Sequence, residues 1–161
     1  MALLVGPVAF PLSALAVSGT ATITGTSVLT ARGCGHDRGT LSTTLHLAED
    51  GTWTAQSAEG PTYAGTSAPK GRSGRKFALT MDPASEQALV AGSTTDIAML
   101  CELEPGSVVV TQSRAKVLKL TLDKKLTTAK LLVRYLLKGT ADGHSGTASL
   151  RIAGKGPWTA P

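Results

Sequence analysis

Leu41-Ser42-Thr43-Thr44-Leu45-His46-Leu47 is followed, after Ala48, by Glu49-Asp50-Gly51 and then by Thr52-Trp53-Thr54-Ala55-Gln56-Ser57. The first run has a period of two: Leu41, Thr43, Leu45 and Leu47 share one face, and Ser42, Thr44 and His46 share the other. That is the pattern of a strand with one buried side. Asp tolerates positive φ and Gly supplies it at no steric cost, so the interruption is a turn and the two runs are a hairpin.

The same grammar recurs on both sides. Residues 19–30 are β-prone throughout, and residues 63–67 and 75–81 pair across the polar loop Pro69-Lys70-Gly71-Arg72-Ser73-Gly74. Further strand-like runs cover residues 95–103, 107–112, 115–122 and 147–153, with turns at Asp123-Lys124-Lys125 and Asp142-Gly143. Residues 128–138 read two ways. As a strand, Leu131, Val133, Tyr135 and Leu137 face together; as a helix, Ala129, Leu132, Val133 and Leu136 form a stripe. The tight turn before this run favours the strand. One helix is predicted over residues 83–91, with Asp82 as N-cap, Pro83 at the first helical position and Gly92 as the stop.

Eight to ten antiparallel strands in 161 residues make one domain. A sheet of that size must hide its edges by closing into a barrel or folding into a sandwich. The fold expected is therefore an all-β meander closing into a barrel, with a β-sandwich as the alternative. Thr, Ser and Gly supply most of the polar surface, since charged residues are only 17%. Thr suits a pleated surface with one wet face. The chain has no Asn and so no N-glycosylation acceptor.

Residues 1–16 are an uncharged apolar run ending in Ala14-Leu15-Ala16, the small-x-small pattern of a signal-peptide cleavage site, with maturation at Val17. Pro7 and Pro11 break the run, which is too short to span a bilayer as a helix. It lacks the usual basic residues at its start, and the competing reading is a buried N-terminal strand. The domain proper is residues 17–161. Cys34 and Cys101 are the only cysteines. In a secreted or periplasmic compartment they would form a disulfide worth about 4 kcal/mol in the chain-entropy model, and otherwise they are two buried thiols.

Asp50-Gly51-Thr52-Trp53, Tyr63-Ala64-Gly65-Thr66 and Gly74-Arg75-Lys76-Phe77-Ala78-Leu79-Thr80 resemble the repeating core of small bacterial lipocalin-like barrels. In those a strand opens with Asp-Gly-Thr and an aromatic, the next carries Gly-Thr, and a Gly-Lys pair precedes an apolar strand. The resemblance covers about a fifth of the chain, implies a barrel, and transfers no binding residue. The Gly-x-Trp of lipocalins near the mature N-terminus is missing.

Nothing in the sequence specifies a reaction, metal or cofactor. His36 and His144 fall in predicted loops and His46 on a strand, so a three-His site would need distant loops to converge. Gly143-His144-Ser145-Gly146 lacks the Gly-x-Ser-x-Gly spacing of a nucleophile elbow. Asp82 and Glu86, four apart, suit a helix N-terminus better than acid–base work. The net charge of +5 is spread along residues 70–76, 116–138 and the C-terminus without interleaved aromatics, so nucleic acid is not the expected partner. Trp53, Tyr63, Phe77 and Tyr135 are the aromatics that would line an apolar pocket if the barrel is hollow; otherwise they pack a solid core. Two functions follow as expectations. One is a non-enzymatic exported barrel holding a small apolar ligand or lipid. The other is a structural or protein-interaction component of the bacterial cell envelope or of an extracellular assembly.

Overall fold

The computed structural model describes residues 17–58 and 60–161, so the expected signal segment lies outside the described residues. Eight strands follow in chain order: β1 (Gly19–Ala31), β2 (Gly35–Leu47), β3 (Thr52–Ser57), β4 (Thr62–Pro69), β5 (Lys76–Met81), β6 (Val108–Leu122), β7 (Thr128–Ala141) and β8 (His144–Thr159). Each pairs antiparallel with the next, and β8 pairs with β1, which closes the sheet into a barrel. The sandwich alternative is thereby set aside.

The β2–β3 hairpin has the expected register, with Leu45 opposite Ala55 and Leu47 opposite Trp53. Gly51 takes φ +90° at the turn, and Asp50 Oδ1 accepts hydrogen bonds from the backbone N–H and hydroxyl of Thr52. Those bonds hold the Asp50 carboxyl below the usual range. The interior is filled mainly by apolar side chains, among them Ile23, Leu45, Leu47, Leu120, Leu122 and Leu137, all essentially sealed from solvent. Each such burial contributes about 2 kcal/mol. Many outward positions are polar or charged, as at Thr22, Thr24, Lys130 and Arg134, with aliphatic Leu132 and Leu136 half-exposed among them. This is the reverse of a membrane-spanning barrel.

Residues 128–138 form part of β7, with Leu131, Val133, Tyr135 and Leu137 buried as the strand reading requires. The two runs at residues 107–112 and 115–122 are one strand, β6, interrupted by irregularities between Val110 and Gln112 and between Ala115 and Val117. Each bulge inserts one residue and reverses which side chains face inward. Val108 and Val110 face inward before the first bulge, Ser113 and Ala115 between the two, and Leu118, Leu120 and Leu122 after the second.

The wall is uneven. β1, β2, β6, β7 and β8 are 13 to 16 residues long, whereas β3, β4 and β5 have only 6, 8 and 6. Pairing between β5 and β6 covers only Lys76 to Ala78. The single helix described, α1 (Pro83–Leu100), packs chiefly on β6 and also on β1, β4 and β2.

The helix corrects the sequence reading. It starts at Pro83 with Asp82 as cap, as expected, but continues through Gly92 to Leu100, so the strand expected over residues 95–103 does not exist. Thr94 and Thr95 fit within it because their hydroxyls donate back to the Val90 and Ala91 carbonyls. The true stop is Glu102, at φ +56°. There the Leu103 N–H reaches the Ala98 carbonyl and the Glu102 N–H the Met99 carbonyl, a Schellman ending without glycine.

Candidate functional site

The elements meeting at one barrel end are the β1–β2 turn, the β7–β8 turn and α1. Helix α1 is held there at both ends. At its start, Asp82 Oδ1 accepts from the Ser85 N–H at 2.8 Å, and the buried Ser85 hydroxyl accepts from the Ala64 N–H of β4, also at 2.8 Å. At its end, Cys101 bonds to Cys34 in the β1–β2 turn, closing a separation of 67 residues. The pairing expected of the two cysteines is therefore present, and it ties the helix to the barrel rim.

Between these anchors the bulged part of β6 meets the helix. Ser113, turned inward by the first bulge, donates to Glu86 Oε1 at 2.7 Å. Tyr135 on β7 is buried and also faces Glu86. Burial first, then the neighbouring carboxylate and the hydrogen bond to it, push its phenol up to about 12. Glu86 thus latches α1 to the wall from the first helical turn, where the helix dipole also favours a carboxylate. Asp82 and Glu86 act separately, one as cap and one as latch.

Beneath the helix lies a cavity of about 80 Å³ whose lining includes Leu45, Trp53, Tyr63, Leu79, Leu89 and Val133. Leu89 comes from α1 and roofs it. Burial also pushes the Tyr63 phenol up. Of the four aromatics singled out from sequence, Trp53 and Tyr63 line this cavity, while Phe77 and Tyr135 are buried elsewhere in the same interior. The Trp53 indole N–H donates to the Thr66 carbonyl at 3.0 Å. It crosses Gly65, where any Cβ would collide with the Thr80 carbonyl of β5. A second pocket of about 260 Å³ lies beside the disulfide, between Ile97, Leu103, Val108 and Leu137, with Arg32 and His144 at its edge.

The histidines do not converge on one site. His46 sits on the outer face, within 3.0 Å of the Thr20 hydroxyl; His36 lies near the start of β2 and His144 at the start of β8. Among the described residues no group of three His, Cys, Asp or Glu side chains is placed to hold a metal. Ser145 is paired with Thr140 in the β7–β8 hairpin. The residues that sequence reasoning missed are Leu89, Glu86 as a latch, and Ser113. Their roles depend on where a helix lies and on two bulges, neither of which leaves a local signature.

Fold and site together define a closed eight-stranded antiparallel barrel with a small apolar cavity under a disulfide-tethered helix. Comparison of the chain with models of protein families, with curated proteins and with solved structures found no match.

Proposed function

We propose that this protein is an exported, non-enzymatic barrel that holds a small apolar molecule beneath α1. The carrying observation is the apolar cavity roofed by Leu89 of a helix fastened at both ends. At about 80 Å³ the partly open cavity is below the 300 Å³ or so at which ligand pockets begin. Its occupant is therefore small, or it enters as the helix shifts. The short β5–β6 seam offers the route, since beyond Ala78 the two strands are not paired and α1 packs on β6 beside the gap. A disulfide is at home in an oxidising compartment, and no helix among the described residues is long and apolar enough to cross a membrane. Both support export.

The test is a titration with the apolar fluorophore anilinonaphthalene sulfonate, comparing the native protein with Cys34→Ser/Cys101→Ser. Freed at its C-terminal end, the helix opens more often, so the double variant takes up the probe faster and still unfolds cooperatively. Equal uptake rates in the two proteins, or no bound probe in either, refute the lidded-cavity reading.

A further inference from the structure

The sequence spreads its basic residues along the chain, but the barrel gathers them. Strands β6, β7 and β8 are consecutive in the wall and carry eight of the sixteen Lys and Arg residues, three on β6, three on β7 and two on β8. They carry no Asp or Glu, and Asp37 is the only acidic residue within any of the eight strands. The other acids among the described residues sit in turns, at the helix cap and on α1.

Within this wall, like charges stand directly opposite one another. Lys130 pairs with Lys155 and Arg134 with Arg151, two outward-facing pairs of one polarity on the same antiparallel strands, separated by the Leu132–Ala153 pair. Like charges directly opposed across strands destabilise a sheet. A chain free to place Thr or Glu at these positions instead keeps four cations where they repel. An anionic partner would relieve that repulsion.

We propose that the outer face of β6, β7 and β8 docks on an anionic phospholipid surface. Lys130, Arg134 and Lys138 follow each other at every fourth residue, so the cationic row spans about 27 Å along β7. Leu132 and Leu136 stand between them on the same outward side, half-exposed, opposite Lys119 and Arg114 of β6. Alternating cations and aliphatic groups match the boundary between headgroups and acyl chains. Single-stranded nucleic acid would want aromatic stacking platforms. The wall's aromatics, Tyr135 and Trp158, are instead buried inside the barrel.

The face is tested by co-sedimentation with vesicles of equal parts phosphatidylglycerol and phosphatidylcholine, and with vesicles of phosphatidylcholine alone. The protein binds the first, does not bind the second, and is released as salt is raised. Lys130→Glu/Arg134→Glu weakens binding by at least about 25-fold, on about fivefold per basic residue lost. Its thermal unfolding temperature stays level or rises, because the new carboxylates face Lys155 and Arg151. Lys155→Gln/Arg151→Gln gives about a 25-fold loss by the same scale without introducing acids. Lys70→Glu/Arg72→Glu, an equal charge change in the β4–β5 loop, leaves binding within a few-fold. The proposal is overturned if phosphatidylglycerol vesicles are not bound or the loop variant loses as much as the wall variant. Duplex DNA binding more tightly than the vesicles at equal phosphate concentration also overturns it.

Discussion

Glu86 is the residue on which the end of the barrel turns. Its carboxylate accepts from Ser113 and faces Tyr135, so one acid joins α1 to β6 and β7. Tyr135 carries the measurable consequence. Its folded pKa of about 12 lies above the ordinary phenol value of 10.0. The stability contributed by the protonated phenol is thus fully present below pH 10.0 and is lost as the pH rises through about 12. Titrating phenolate absorbance should show one of the two tyrosines ionising at this high pH. In Glu86→Gln that tyrosine should ionise at lower pH, because the facing charge is gone, while the other is unmoved. An unchanged curve in the variant would remove Glu86 from contact with Tyr135. A second acid behaves differently. Burial and the nearby Asp37 raise the Asp96 pKa, so its contribution to stability declines as the pH rises from 3.8 through that raised value.

Helix α1 and strand β6 show where local sequence signals stop being sufficient. Gly92 reads as a helix stop, yet it is an interior helical residue with open space where a Cβ would stand. Gly92→Ala should therefore stabilise the protein by about 0.5–1 kcal/mol, read as a rise in thermal unfolding temperature. A loss would mean that the helix does not run through this position. The actual stop, Glu102, is a non-glycine in a left-handed conformation, which sequence rules discount. The β2–β3 hairpin was legible because its alternation and its Asp-Gly turn are local. The inward Leu131-to-Leu137 face of β7 was legible for the same reason. In β6 a one-residue bulge flips the alternation and a second flips it back, so a simple period of two breaks in the middle. The cavity aromatics were half legible. Trp53 and Tyr63 share the cavity, whereas Phe77 and Tyr135 lie on inward faces at other levels of the barrel.

At the scale of the molecule, closure could be argued from the sequence, whereas charge separation is a property that only three dimensions could show. Closure follows from the edge problem of a large sheet in a short chain, and the sequence pointed to it. Charge separation did not follow from it, because Lys130 and Lys155 are distant in sequence and adjacent only in the barrel. The result is a molecule with two ends and a side: a rim bridged by the disulfide, a tightly packed opposite end around Trp158 and Leu122, and a basic wall. The lidded cavity and the basic wall are separable, since one lies inside the barrel and the other on its outer face. Under the two proposals together, the barrel would carry a small apolar molecule while resting on an anionic membrane.

The most direct measurement is native mass spectrometry of the protein purified from its own host, with the disulfide intact. The account predicts a folded monomer whose mass exceeds that of the chain by one small apolar molecule, released on denaturation. A folded protein whose native and denatured masses agree would contradict it.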